Sequence, residues 1–379
     1  MSNIPHELIF DILSRLKPKD LIRYMCVSKA WYALIHNQDF IKAHGERSIK
    51  TNSTRTILLQ VATCPLDFIS LPFDNDEMLG TATKVGRPMI TKYHLTNTVG
   101  YANGLVAICN YTDKYIALWN PSIQKLKKIP FTTHEPHAHP PSPDFRMIHN
   151  YGFGYDSTND DYKLVAIVHF GDGEDVTLSF QVSVYSLKAN SWKTIQNMPC
   201  GGFSLYSDYL MFSNGALSWL MSKLDGEDQY KILTLDLASE KYREFPIPDP
   251  VDGGDIEDYT PDLGVLGDYL CICLTLYDYR RDVWIMKGNG VTESWSLLCS
   301  IYLLGKPLLF SENGEMVLLM MERKGYNRLY WYHLEKKNFK KACRLRRRPL
   351  TATICRESLC LLLDDDPIKS SKKRKFSNE

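Results

Sequence analysis

Long apolar runs are missing from this chain. No stretch of about 18 apolar residues occurs, so no transmembrane helix is expected. Net charge is nearly absent as well: 45 Lys and Arg against 44 Asp and Glu leave +1. No global field therefore draws the chain to nucleic acid or to an anionic membrane. The ten cysteines are scattered and include no Cys-x-x-Cys pair, which gives no metal knuckle and no redox motif. Gly-x-Ser-x-Gly, a Gly-rich phosphate loop with Lys, and His-Glu-x-x-His are all missing, so no catalytic residue, metal or cofactor is expected. The first apolar stretch is interrupted by His6, Glu7 and Asp11. It does not resemble a signal peptide, and the chain is expected in a reducing, intracellular compartment.

What is present is ordinary for a chain that builds a core: 44% hydrophobic and 23% charged residues over 379 positions. The first 45 or so residues carry helical spacing. Leu8, Ile9, Ile12, Leu13 and Leu16 recur at three- and four-residue steps behind Pro5. Lys17-Pro18 ends that helix, since the residue before proline disfavours helical backbone. A second short helix carries Leu21, Ile22 and Met25. Ser28 is placed to cap a third with Trp31, Leu34 and Ile35, and Asp39 to cap a last turn. A bundle this small is marginal alone. Either it packs on the rest of its own chain or another protein completes its apolar face. Periodicity leaves both open.

The ordered string Ile4-Pro5-x-Glu7-Leu8-x-x-x-Ile12-Leu13-x-x-Leu16, Lys19-Asp20-Leu21-x-Arg23, Cys26-Val27-Ser28-Lys29-x-Trp31 closely resembles the F-box. That resemblance implies docking onto a Skp-family adaptor and, through it, onto the cullin and RING subunits of a ubiquitin ligase. By the same resemblance Pro5, Leu8, Ile12, Leu16, Leu21, Ile22, Val27 and Trp31 are the adaptor-facing or supporting positions. Sequence alone does not sort the two roles. Periodicity does align Leu8, Ile12 and Leu16 on one line.

From about residue 55 the period changes to short β-branched and aromatic runs bounded by Gly, Pro, Asn or Asp. A loose repeat runs through them. Asn103-Gly104 leads to Leu118-Trp119-Asn120-Pro121, Gly152-Phe153-Gly154-Tyr155-Asp156 to Val184-Tyr185-Ser186-Leu187, and Asn214-Gly215 to Leu235-Asp236-Leu237. Gly264 then leads to Val283-Trp284, and Asn313-Gly314 to Leu329-Tyr330-Trp331. A last run, Thr351–Cys355, has no partner after it and is available to close a ring. The expected fold is a small all-α head followed by a large all-β, propeller-like antiparallel domain of about six blades. Expected boundaries are 1–45 for the head, 46–54 for a linker, 55–365 for the β domain and 366–379 for a disordered basic tail. Cys271 and Cys273 share one strand face and read as small core hydrophobes.

Leu118-x-Asn120-Pro121, Gly152-Phe153-Gly154-Tyr155-Asp156 with Asp161-Tyr162-Lys163, Val184-Tyr185-Ser186-Leu187 with Ser191-Trp192, and Asp282-Val283-Trp284-Ile285-Met286 with Glu293-Ser294-Trp295 are similar to the F-box-associated domain of plant F-box proteins. This is the kelch-like, S-locus-F-box-like type. The residues themselves read as structural: aromatic core layers, tight glycine turns and side-chain-capped turns.

Three polar segments stand outside this pattern. The run from Asp249 to Asp262 holds six acids, Asp252, Asp255, Glu257 and Asp258 among them, and no base. With Asp172 and Glu174 of a second acidic turn, it is a solvated loop or an edge that receives a basic protein target. His134, His137 and His139 lie in a proline-rich stretch that reads as an extended loop rather than a metal site. Eight cations between Lys336 and Arg348 read as a strand face. Lys372, Lys373, Arg374 and Lys375 form a candidate nuclear-import signal, which gives nucleus and cytoplasm as the expected location.

The function implied is that of a substrate-recognition subunit without bond-making chemistry. Its β domain would hold an unidentified protein target for ubiquitination and proteasomal degradation. Members similar to this chain recognise pollen-rejection ribonucleases or control immune-receptor levels, and this chain looks more like the second group. The alternatives are an F-box scaffold outside a ligase, and a propeller enzyme or carbohydrate-binding protein.

Overall fold

In a computed structural model, the residues described are 4–51, 54–61, 67–73, 79–86, 88, 97–110, 115–130, 145–172, 179–196, 198–199, 201–206, 210–224, 229–277, 279–287, 294–303, 305–323, 326–343 and 349–361. The chain forms four helices at its N-terminus followed by a six-blade, propeller-like all-β domain. It divides into two compact units. One holds residues 1–74, 79–131 and 350–379; the other holds 75–78 and 132–349.

The first unit contains the helices α1 (His6–Ser14), α2 (Pro18–Tyr24), α3 (Lys29–Ile35) and α4 (Gln38–Thr51). Pro5 precedes the first helix, and Pro18 opens the second where its missing N–H is harmless. The Ser28 hydroxyl accepts from the Trp31 amide at 3.1 Å and caps α3. Asp39 is not the cap of α4. Asn37 takes that place, its Oδ1 accepting from the Asp39 and Phe40 amides at 2.7 and 3.3 Å. The stretch 46–51, expected as linker, is helical instead. His44 bonds the Leu16 carbonyl at 2.8 Å and Arg47 pairs with Asp11 at 2.8 Å, and these side-chain contacts hold the later turns of α4 against α1.

Strands β1 (Arg55–Val61), β2 (Asp67–Pro72) and β3 (Thr83–Gly86) follow, then a second sheet of β4 (Asn97–Ala102), β5 (Leu105–Asn110), β6 (Tyr115–Asn120) and β7 (Lys125–Ile129). The second unit has four more sheets. The first is β8 (Phe145–Asp156), β9 (Asp161–Asp172), β10 (Ser179–Ser186) and β11 (Ser191–Thr194). The next is β12 (Phe203–Leu205), β13 (Met211–Ser213), β14 (Ala216–Lys223), β15 (Tyr230–Asp236) and β16 (Tyr242–Pro246). Then come β17 (Tyr259–Leu266), β18 (Tyr269–Leu276), β19 (Arg280–Lys287) and β20 (Ser294–Ile301), and last β21 (Gly305–Phe310), β22 (Met316–Arg323), β23 (Tyr326–His333) and β24 (Phe339–Lys341). The final strand, β25 (Pro349–Arg356), returns to the first unit and pairs with β1. The unpartnered last run thus completes the first sheet.

The repeat seen in the sequence has a mechanical basis. In three of the sheets the turn from the third to the fourth strand is closed by the side chain at the end of the third strand. Asn120 accepts from the Ser122 amide at 2.8 Å, Ser186 from Ala189 at 2.9 Å and Asp236 from Ser239 at 2.7 Å. Each of these turns also places one residue at positive φ: Gln124, Asn190 and Glu240. Trp119, Trp219 and Trp331 are fully buried, one in each of three sheets. Cys271 and Cys273 are buried in one apolar cluster with Val283, Ile285 and Leu319. Burial pushes the Cys273 thiol up to about 12, consistent with its packing role.

Glycine is required where neighbouring sheets meet in the second unit. A Cβ on Gly152 would lie 2.6 Å from Leu210 Cβ, and one on Gly154 would lie 2.7 Å from Leu237 Cδ1. The following Asp156 and Lys163 form a buried ion pair at 2.9 Å. Lys163 also donates to the Leu237 carbonyl, which ties β9 to the turn after β15.

Candidate functional site

The four helices enclose a compact core of Leu13, Leu21, Ile35 and Phe40. It is not closed by the helices alone. Leu359, three residues past the end of β25, is 1% exposed within it, and Ile123 from the β6–β7 turn packs on its margin. Asn120 holds this returning segment by donating to the carbonyls of Ser358 and Cys360 at 3.0 and 2.9 Å. Gly104, at positive φ, allows Ser358 to lie against the β4–β5 turn.

With the interior satisfied, a separate apolar surface remains outside. Leu8 is 54%, Ile12 52% and Val27 60% exposed. Leu8 and Ile12 are one helical turn apart on α1, so they share a face. Pro5 is exposed beside them in sequence. Leu16, Ile22 and Trp31 are half-buried and pack against the core, with the Trp31 ring 5.9 Å edge-on from Tyr24. Leu21 faces wholly inward. The eight expected positions therefore separate into exposed Pro5, Leu8, Ile12 and Val27, supporting Leu16, Ile22 and Trp31, and interior Leu21. Sequence reasoning missed four further exposed apolar side chains among the described residues of the head, Ile4, Tyr24, Tyr32 and Ile49. Tyr32 stacks on His36 at 4.8 Å. Its signal was weak, because it adjoins Trp31 and lies off the apolar stripe of α3.

Residues 65–360 match the family model of the F-box associated beta propeller domain, and residues 1–43 match that of the F-box domain. The chain belongs to the F-box protein family. F-box protein CPR1 of Arabidopsis thaliana is 31% identical over 360 residues, covering 89% of this chain and 83% of its own length. F-box protein At4g22390 of the same plant is 28% identical, covering 99% and 94%. F-box/kelch-repeat protein At3g23880, also from Arabidopsis thaliana, is 29% identical, covering 84% and 85%. Proteins of this family are typically non-catalytic adaptors, and an F-box domain implies binding to Skp-family proteins in general.

The acidic segment of this F-box protein is less free than its sequence suggests. Asp252 accepts from the Tyr259 hydroxyl at 2.6 Å and pairs with Arg280 at 3.0 Å. These bonds hold its carboxyl down at about 2. Arg280 also pairs with the wholly buried Asp282 at 2.9 Å. Asp258 accepts from the Tyr277 hydroxyl. Asp255 and Glu257 remain exposed on and beside a 3-10 turn, Ile256–Asp258. Tyr277 and Tyr279, 65% and 51% exposed, stand at the same end of this sheet. Asp172 ends β9, while Glu174, His134, His137, His139 and Lys372–Lys375 lie outside the described residues.

Proposed function

We propose that this F-box protein is the substrate-recognition subunit of a Skp–cullin–F-box ubiquitin ligase. The exposed Leu8–Ile12–Val27 surface is the adaptor-binding face, and the adaptor brings in the cullin and RING subunits. The β domain holds a protein target for ubiquitination and proteasomal degradation. The protein performs no bond chemistry of its own; it raises the local concentration of target near the ubiquitin-loaded enzyme. Among the targets implied by the family resemblance, an immune receptor is the one taken forward, and nucleus and cytoplasm are the compartments.

One observation carries this reading. Leu13, Leu21, Ile35, Phe40 and Leu359 already fill the interior of the head. The remaining apolar side chains on α1 therefore have no folding role that needs them at the surface, and paired exposed leucine and isoleucine one turn apart suit a helix-in-groove contact. For the target, the exposed Asp255 and Glu257 beside Tyr277 and Tyr279 support a contact with a basic segment. Asp252 and Asp258 hold that edge in shape.

The test is capture of a purified plant Skp-family adaptor by the full chain and by Leu8→Ala/Ile12→Ala. Capture by the native chain, lost in the double variant with an unchanged melting curve, is the expected result. Absence of capture by the native chain overturns the proposal.

A further inference from the structure

The two ends of the β17–β20 sheet differ. Tyr259 pairs with Leu276 and Arg281 with Ile301. The start of β17, the end of β18, the start of β19 and the end of β20 therefore lie together at one end. Four large apolar side chains stand there in the open. Tyr277 and Tyr279 belong to the β18–β19 turn, and Tyr302 and Leu303, 71% and 47% exposed, come just past β20. At the opposite end, among the described residues, Tyr269 is the one exposed side chain of this kind, and it packs edge-on against Phe310 at 6.4 Å. Neighbouring strands lie about 4.8 Å apart, so the row from Asp258 past Tyr277 and Tyr279 to Tyr302 spans about 14 Å, the length of about four extended residues.

Tyr277 holds its place against a backbone preference. Its φ is 43°, in the left-handed region that bulky side chains rarely adopt. Among the nine described non-glycine residues at positive φ it is the only aromatic one. Asn or Gly suits such a turn better. The tyrosine hydroxyl donates to Asp258, which fixes the phenol beside the acidic turn. Two cations also stand at this end, and both face partners of their own. Arg280 bonds Asp252, the Tyr259 hydroxyl and the buried Asp282 at 3.0, 2.8 and 2.9 Å. Arg281 bonds the Thr275 hydroxyl and the Gly305 carbonyl at 3.0 and 3.3 Å. Asp255 and Glu257 are exposed and engaged by neither arginine.

Exposed rings and an exposed leucine suit a partner with apolar surface, and carboxylates beside them suit one with positive charge. Arginine meets both conditions. Its guanidinium stacks on a tyrosine face and binds a carboxylate through two parallel hydrogen bonds. Lysine meets them less well, because its ammonium is compact, strongly hydrated and has no flat face to stack. Nucleic acid is repelled by the same carboxylates. We propose that this end of the β17–β20 sheet is a docking surface for a linear protein segment that carries arginine next to a large apolar residue. The inference rests on the reading of the β domain as the target-holding part, and it names the chemistry of the target at that site. The arginine stacks on Tyr277 and Tyr279 and pairs with the acidic turn, and the apolar residue packs on Tyr302 and Leu303.

The test selects random dodecapeptides displayed on phage against the immobilised full chain, in about 0.15 M salt, where exposed charges more than about 8 Å apart are largely screened. The same selection is run on Tyr279→Ser/Tyr302→Ser, whose side chains are exposed, so the melting temperature stays unchanged. Expected is a retained pool at least threefold enriched in arginine over the input, with Leu, Met or an aromatic residue beside it, and no such enrichment on the double variant. A recovered peptide, measured in solution by fluorescence anisotropy, loses at least fivefold in affinity when its arginines become lysines, when its apolar residue becomes serine, or when the protein carries Glu257→Lys. A pool without arginine, the same pool on the double variant, or equal binding of the lysine and serine peptides overturns the proposal. The two readings fail separately. A chain that captures the adaptor yet retains no arginine-bearing peptide overturns this inference alone, whereas a chain that captures no adaptor overturns the ligase reading whatever peptides it retains.

Discussion

Substituting Leu359 by alanine separates the two apolar systems of the head. Leu359 is 1% exposed in a core shared with Leu13, Leu21, Ile35 and Phe40. Truncating a leucine so buried costs about 2–5 kcal/mol, the spread depending on how far the cavity collapses. A helical head of this size holds only a few kcal/mol of its own. The variant therefore brings the helices near their midpoint and leaves the β domain standing. Hydrogen exchange should show amide protection lost across α1–α3 and kept in β14, β18 and β22. Adaptor affinity should fall by the fraction of heads left folded. Leu8→Ala/Ile12→Ala gives the opposite pattern. Those side chains are only half covered, so the fold is unmoved. Burying the exposed halves against a partner is worth about 1 kcal/mol each, or roughly 30-fold in affinity for the pair. Full protection of α1–α3 in Leu359→Ala would refute the reasoning, since the returning segment would then be a bystander. So would loss of protection in Leu8→Ala/Ile12→Ala.

Other expectations concern the β domain and its junction with the head. Gly154→Ala places a methyl against Leu237 and should lower β-domain stability by about 1–3 kcal/mol in urea unfolding, with no effect on adaptor capture. Lys163→Met removes the cation paired with the buried Asp156 carboxylate, which keeps its bonds from Thr158 and Asn159, and should cost about 1.5–3 kcal/mol, read from the same denaturation midpoint; a change under about 1 kcal/mol refutes the pair's role. Glu357 sits half-buried with Oε2 unpartnered, and burial pushes its carboxyl above 4.5 against the pull of Lys17. Its folded form holds a proton more readily than its unfolded form, so ionisation works against the fold and stability falls as pH rises above about 4.5. Glu357→Gln should raise the melting temperature at pH 8 and make no difference near pH 4.

Much of this architecture was legible because it is written locally. The Asn-Gly turns and the Asx-type closures at Asn120 and Asp236 repeat at short range, and each marks a strand end that the structure keeps, while the buried tryptophans mark the strand interiors. The α1 stripe was legible for the same reason. The division of that stripe was not. Leu13 of that stripe faces inward, into a core that Leu359 completes from 346 positions away in the chain. The acidic run read as having no base because Arg280 follows Asp252 by 28 residues and reaches it only across the sheet. Helix α4 extends past its expected end through contacts to Asp11 and Leu16, which no pattern within 46–51 announces.

The placement of Leu359 has a temporal consequence. On the ribosome the head emerges well before the residue that closes its core, which is made more than 300 positions later. At about 5–20 residues per second, that interval is on the order of half a minute. Through that time the nascent chain carries an unsealed head. A chain released early, by a premature stop or by cleavage before β25, lacks both the last strand of the first sheet and the plug of the head. Such a product would carry the four helices without the leucine that fills their core.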